Sequence, residues 1–314
     1  MTFRYENQFP VSIQNISDFI DKYGLVISSH EVLNRGIENT SIMIQAGQKR
    51  YVLRVYRLDK KNVEDIQLEV AFMAYLAEND LPIPYVVSNS TGAFVTELII
   101  DNLPWQAIVM TYITGDHARE YSPKLIANMA LKQAKMHILG ANYQSPHLPT
   151  SQLTSLRDTQ FIQRINILQI ENSDLRGFLK RAGDFYLDLN LNMQLGYSQF
   201  DYGVGNLLVG DDEVLAILDF DDMMYAPLIV CLGYALGYIA NNTNSTKLLP
   251  EYLVSYESVR PISTEERNQL PNIILFKHYV TNCINVLSGR TSDTEVQRML
   301  DLEKALLDFK LVNS

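Results

Sequence analysis

The 314-residue chain has little of what marks several common protein classes. It has two cysteines, Cys231 and Cys283, and neither sits in a C-x-x-C pair, which argues against a disulfide framework or a cysteine zinc site. Its five histidines show no metal-ligand spacing. Basic side chains are outnumbered: 26 Lys and Arg against 36 Asp and Glu give a formal net charge of −10. Nucleic-acid binding needs clustered positive charge, so this balance argues against it. No apolar run reaches the roughly 20 residues of a membrane helix. The opening MTFRYENQFP lacks the apolar core of a secretion signal, and a reducing cytoplasm is the expected compartment. No P-loop G-x-x-x-x-G-K-[ST] occurs anywhere.

What remains is an ordinary globular composition, 47% hydrophobic and 20% charged, long enough for two domains with real cores. Apolar residues at helical spacing predict a short helix over 12–23, closed by Gly24. Strands are expected over 25–33, 41–45 and 50–56, with a glycine-containing turn at 46–49 that lacks the G-x-G-x-x-G spacing. A helix over 62–78 and strands over 93–100 and 105–112 complete a predicted half of five strands and one main helix. Ser122-Pro123 has cap and first-turn residues in the favoured order for a long helix to about Tyr143. Helical patterns return over 156–189, interrupted near Asn172, then over 227–240, 264–287 and 294–311.

The richest stretch is 197–231, YSQFDYGVGNLLVGDDEVLAILDFDDMMYAPLIVC. Two apolar runs flank the acidic turn Gly210-Asp211-Asp212-Glu213, which reads as a hairpin. A hairpin brings its outer ends together, so the loop with Asp201 and Asn206 is predicted to lie beside Asp219. One amide oxygen and one carboxylate form a partial shell for Mg²⁺, a hard ion that takes its other ligands from substrate phosphates and water. A second carboxylate held off the metal can accept a hydroxyl proton. Asn206 and Asp219 are therefore the candidate metal ligands and Asp201 the candidate base. The plainer alternative is an ordinary acidic hairpin.

D-x-x-x-x-N followed by a strand pair and I-L-D-F-D-D resembles the catalytic core of the aminoglycoside phosphotransferase superfamily, small-molecule kinases with a two-lobed, protein-kinase-like fold. R-G-I-E-N at residues 35–39 and M-H-x-x-G-A-x-Y at 136–143 are similar to phrases of type II homoserine kinases. The resemblance covers roughly residues 15–290. It implies an α+β fold with a nucleotide-binding part over 1–112, built on an antiparallel five-stranded sheet, and a mostly helical catalytic and substrate part over 113–314. It implies ATP and Mg²⁺ as cofactors, a small-molecule hydroxyl compound as partner, and no particular oligomeric state.

By the same resemblance Met110, Thr111, Tyr112 and Ile113 form the hinge whose backbone takes adenine. Gly36, Asn39, Arg54 and Glu69 belong to the phosphate side. Arg54 lies mid-strand among apolar neighbours and needs a partner. An Arg54–Glu69 pair would resemble the Lys–Glu pair of kinases. His137 reads as a packing residue rather than a catalyst. Two positions depart from the family pattern: Gln199 stands where a His is usual, and Cys231-Leu232-Gly233 where an Asp-Leu-Ala phrase is usual. They leave open a kinase-like binding or regulatory module. A protein Ser/Thr kinase of related bacterial type is a third reading.

Overall fold

The computed structural model describes residues 13–35, 39–58, 61–145, 153, 155–157, 159–189 and 193–309. Helix α1 (Ile13–Ile20) buries Ile16, Phe19 and Ile20 against the first sheet. Strands β1 (Ser29–Arg35), β2 (Asn39–Ala46) and β3 (Lys49–Tyr56) form a meander. Helix α2 (Val63–Glu78) follows, its N-terminus capped by the Asn62 side chain on Asp65 N at 2.7 Å. Short β4 (Val86–Val87) precedes the hairpin of β5 (Thr96–Ile100) and β6 (Leu103–Thr111). The sheet order is β1-β2-β3-β6-β4, with β5 also on β6, and every pairing is antiparallel. The sheet thus has six strands rather than the expected five, because two-residue β4 is too short to register as a pattern. The strand expected over 25–33 begins later, at Ser29.

Beyond β6 the chain is mainly helical. It contains α3 (Pro123–Asn142), the small pair β7 (Ser155–Arg157) and β8 (Tyr186–Asp188), and between them α4 (Thr159–Ile162) and α5 (Ser173–Asp184). The stretch expected to be helical over 156–189 is therefore bracketed by a two-stranded ribbon. Next come β9 (Leu195–Gln199), the predicted hairpin of β10 (Leu207–Gly210) and β11 (Glu213–Ile217), and β12 (Met223–Pro227). Helices α6 (Leu228–Thr243), α7 (Leu249–Glu257), α8 (Thr264–Leu287) and α9 (Asp293–Leu307) complete the chain. Among the described residues, no helix is long and apolar enough to cross a membrane.

Two packing features hold the segment 197–231 in place. Helix α3 lies directly on β9: a Cβ at Gly140 would stand 1.8 Å from Tyr197 O, so only glycine fits there. This is the physical role of the glycine in M-H-x-x-G-A-x-Y. Helix α6 carries apolar side chains all round, as a helix enclosed on every side does. Each of its fully buried Leu and Ile side chains contributes about 1.5–3 kcal/mol of burial.

Candidate active site

The hairpin closes as its sequence dictates. Asp211 and Asp212 take left-handed φ values of 52° and 61°, as a two-residue turn between right-twisting strands requires. Leu218 N donates to Asn206 O at 2.8 Å, so the strand carrying Asp219 ends against the loop carrying Asn206. Asp219 itself lies at φ 62°, a conformation uncommon for a residue with a side chain and one that clusters at functional sites. Phe220 is fully buried and meets Phe72 of α2 edge-on at 6.3 Å, which pins the end of the hairpin to the sheet half. Tyr202 is fully buried as well, and its hydroxyl donates to Met129 O of α3 at 3.0 Å.

Gln199 holds the two sides of the site together. Its Nε2 lies 3.0–3.1 Å from the carbonyl oxygens of Asp201, Leu218 and Asp219. Gln199, which stands where the resembled pattern has a His, is thus the brace between the Asp201 loop and the hairpin end. Cys231 is buried in α6, where its carbonyl accepts from Gln133 Nε2 at 3.2 Å and burial pushes its thiol up to about 12.

Asn206 Nδ2 donates to both Asp201 O and Asp201 Oδ2 at 2.9 Å, and its Oδ1 makes no hydrogen bond among the described residues. Asp201 Oδ1 accepts a hydrogen bond from Tyr238 of α6. Arg54, at the centre of β3, pairs through Nη2 with Asp219, and with Asp221 Oδ2 at 3.3 Å. Asn39 donates to the same Asp221 oxygen. Burial alone would raise the Asp219 carboxyl, but the Arg54 guanidinium holds it down to about 2. Asp221 is pushed up to about 8, by burial first and then by the proton it shares with Asp219. Burial works against the charge on Arg54, and Asp219 and Asp221 more than offset it.

The expected Arg54–Glu69 pair is not formed. Glu69 is fully buried, and its two oxygens are taken by Tyr56 Oη and Lys61 Nζ, each at 2.8 Å. Two carboxylates across the cleft draw Arg54 away from α2, and Lys61 neutralises Glu69 in its place. The signal was present in the sequence, since Lys61 immediately precedes the helix cap at Asn62.

Between sheet and hairpin lies a cleft of about 360 Å³. One end is walled by Met110, Thr111, Tyr112 and Ile113, and the other by Arg54, Asn206 and Asp219. Thr111 N donates to Tyr85 O and Tyr112 N to Arg50 O, while among the described residues no backbone bond uses the N–H of Ile113. Asp201 lies beside the cleft behind Asn206, whereas Asn39 and Glu69 are not among its lining residues. Gly36 lies outside the described residues. His137 is fully buried with Nδ1 on Tyr256 Oη, and burial holds its imidazole well below the usual range, so it packs as expected. Sequence reasoning missed Tyr238 and Lys277, which stand behind Asp201.

This fold is that of the protein-kinase-like small-molecule kinases. The structure superimposes on an amicoumacin kinase solved with AMP-PNP and Ca²⁺ with a TM-score of 0.70, at 16% identity, covering 94% of this chain and 92% of that one. A microcompartment-associated aminopropanol kinase gives 0.67 at 17% identity, covering 94% and 95%. The chain belongs to the Phosphotransferase enzyme family, which it matches over residues 29–267. It is 25% identical over 279 residues to a homoserine kinase of Methylobacillus glycogenes, spanning 84% of this chain and 81% of the relative. A homoserine kinase of Bradyrhizobium diazoefficiens is 24% identical over 270 residues, spanning 83% and 80%. The protein is a kinase, a phosphotransferase of small-molecule type with an alcohol group as acceptor.

Proposed function

We propose that the chain transfers the γ-phosphoryl group of ATP, with Mg²⁺, to a hydroxyl of a small hydroxy amino acid or amino alcohol. The observation that carries this is the single cleft shared by the Met110–Ile113 wall and by Arg54, Asn206 and Asp219. In this reading residues 1–112 hold the nucleotide and residues 113–314 supply the chemistry and the acceptor wall. The free N–H of Ile113 donates to adenine, and the apolar side chains of Val52, Met73 and Leu208 enclose the ring. Arg54 faces the phosphates. Asn39 and Glu69 act indirectly, Asn39 by holding Asp221 and Glu69 by fixing the Lys61–Tyr56 side of β3.

The donor set fits a divalent cation. The Asn206 amide is turned by Asp201 so that its Oδ1 is left for a ligand, and Asp219 keeps a strongly acidic carboxylate. No group of three or more His, Cys, Asp or Glu that could hold a metal occurs among the described residues, so the shell must be completed by phosphate and water oxygens. A bound Mg²⁺ would neutralise charge on the transferring phosphates. Asp201, fixed by Asn206, accepts the acceptor's hydroxyl proton. Homoserine-type acceptors are favoured by the two homoserine kinases at 25% and 24% identity.

ADP formation from MgATP with a panel of hydroxy amino acids, amino alcohols and aminoglycosides tests the proposal. Asp201→Asn should keep nucleotide binding and lower turnover by about 10²–10⁴-fold, the range for loss of a general base. Near-normal turnover of that variant would remove Asp201 from the role. Nucleotide binding with no transfer to any compound would favour a binding module, and labelled protein product would favour a protein kinase.

A further inference from the structure

Helix α6 passes close behind the catalytic loop. Its Tyr238 ring packs over Gly203, where a Cβ would come within 3.2 Å of Cδ2. The phenol donates to Asp201 Oδ1, while Asn206 donates to Oδ2. Both oxygens of the proposed base are thus held from opposite partners. Burial and the neighbouring Asp201 charge keep the Tyr238 hydroxyl protonated far beyond its ordinary range. It therefore acts only as a donor in this contact.

Behind the ring stands a cation. Lys277 of α8 is buried, 5% exposed, and its Nζ sits 3.7 Å from the Tyr238 ring centroid and 5.0 Å from that of Tyr234. Among the described residues the two ring faces are its near neighbours, and the carboxylates of Asp201 and Asp222 favour its charge. The packing is built around it: a Cβ at Gly237 would stand 2.6 Å from Lys277 Cγ, and one at Gly233 2.4 Å from Ile273 Cγ2. Two glycines four apart put bare backbone on one face of α6, where Ile273 fills the space at Gly233 and the stem of Lys277 the space at Gly237.

We infer that Tyr238 and Lys277 are positioning residues for phosphoryl transfer: Lys277 charges the face of the Tyr238 ring, and Tyr238 fixes the orientation of the Asp201 carboxylate. A cation on a ring face attracts its electron density and sharpens the phenol as a donor. The inference rests on Asp201 being the base. The charged and titratable groups facing Lys277 are Asp201, Asp222, Tyr234 and Tyr238. Elsewhere along α8, Arg181 of α5 and Glu303 of α9 pair with each other beside Tyr279. Burial lowers Lys277 to about 8, with Asp201 and Asp222 opposing the shift. The ammonium is present below that pH and lost above it.

The test compares wild type with Tyr238→Phe, Lys277→Met, Lys277→Arg and Asp201→Asn, using MgATP and the hydroxyl compound most active in the panel above. Tyr238→Phe should lower kcat about 10–100-fold with KM for MgATP within twofold. Lys277→Met should lower kcat about 10-fold and abolish a decline in wild-type kcat above about pH 8. Lys277→Arg should restore part of the rate and carry that decline to higher pH. If Lys277→Met does not fold, the Tyr238→Phe and Lys277→Arg arms decide. Wild-type kcat in Tyr238→Phe alongside an inactive Asp201→Asn would overturn this inference and leave the base assignment standing. Near-normal Asp201→Asn, or a wild-type chain inactive on the whole panel, would overturn both.

Discussion

Two buried charge clusters face opposite ways. At the rear, Arg260 gives Nη2 to Glu266 Oε1 at 2.5 Å, Nη1 to Tyr256 Oη at 3.2 Å and Nε to Gln194 Oε1 at 3.1 Å. Glu266 uses its other oxygen to accept from Ser263 N at 3.0 Å, closing the capping box of α8. Each of the three guanidinium nitrogens there has an acceptor. In the cleft, one guanidinium faces both Asp219 and Asp221, and among the described residues its Nε has no partner. The two carboxyls are driven apart, one down to about 2 and the other up to about 8. A balanced cluster is finished within the fold. An unbalanced one has room for a further positive charge, and that distinguishes a site from a strut.

Substitutions can break this contrast. The largest effect is expected for Asp219→Asn: turnover falls about 10²–10³-fold, as when a transition-state charge stabiliser is removed. Its melting temperature should hold or rise, because one of two crowded carboxylates is gone. A clear fall in melting temperature would make Asp219 a strut like Glu266. Glu266→Ala should do the opposite. Leaving Arg260 buried and unpaired costs about 3–5 kcal/mol in denaturant unfolding, with kcat per folded molecule unchanged.

The smallest effect concerns protons on the rear side. Burial lowers His137 well below its ordinary value and His278 to about 4. Each is neutral in the fold, so the unfolded chain takes up the extra proton once the pH drops below about 6.5. Stability is therefore full above that value and lost as pH falls toward about 4. For His278 the loss at pH 5 is about 2 kcal/mol. Urea midpoints at pH 7.5 and 5.0 should show it, and His278→Gln should shrink the difference.

How much of this was legible follows from how local each signal is. The β10–β11 hairpin announces itself within eleven residues, and its ends dictate that Asn206 and Asp219 meet. The β9–β12 pair does not, because Met223 and Gln199 pair across a gap that contains that hairpin. Arg54 was readable as a residue needing a partner, but its choice of Asp219 over Glu69 depends on contacts 165 positions apart. Tyr238 is one of 18 tyrosines, and nothing in Gly-Tyr-Ile-Ala marks its hydroxyl. Lys277 was nearer to visible: a lone lysine inside Ile-Ile-Leu-Phe-Lys-His-Tyr-Val interrupts an apolar face.

The strap between the halves is stitched to the hairpin. Asp116 exchanges backbone hydrogen bonds with Val209 at 3.2 and 2.7 Å, and His117 Nδ1 lies 3.1 Å from Leu207 O. Upstream, Tyr112 N is fastened to Arg50 O. Only Ile113 to Gly115 lies between the two fastenings, and Thr114 in that stretch accepts from Arg50 Nη2 at 2.7 Å. On the opposite side Ile217 N donates to Pro82 O at 2.8 Å, next to the Phe72–Phe220 contact. A cleft tied along both edges keeps its wall at Thr111 and Ile113 and its charged end at Arg54 and Asp219 at one spacing, as a socket does rather than a jaw.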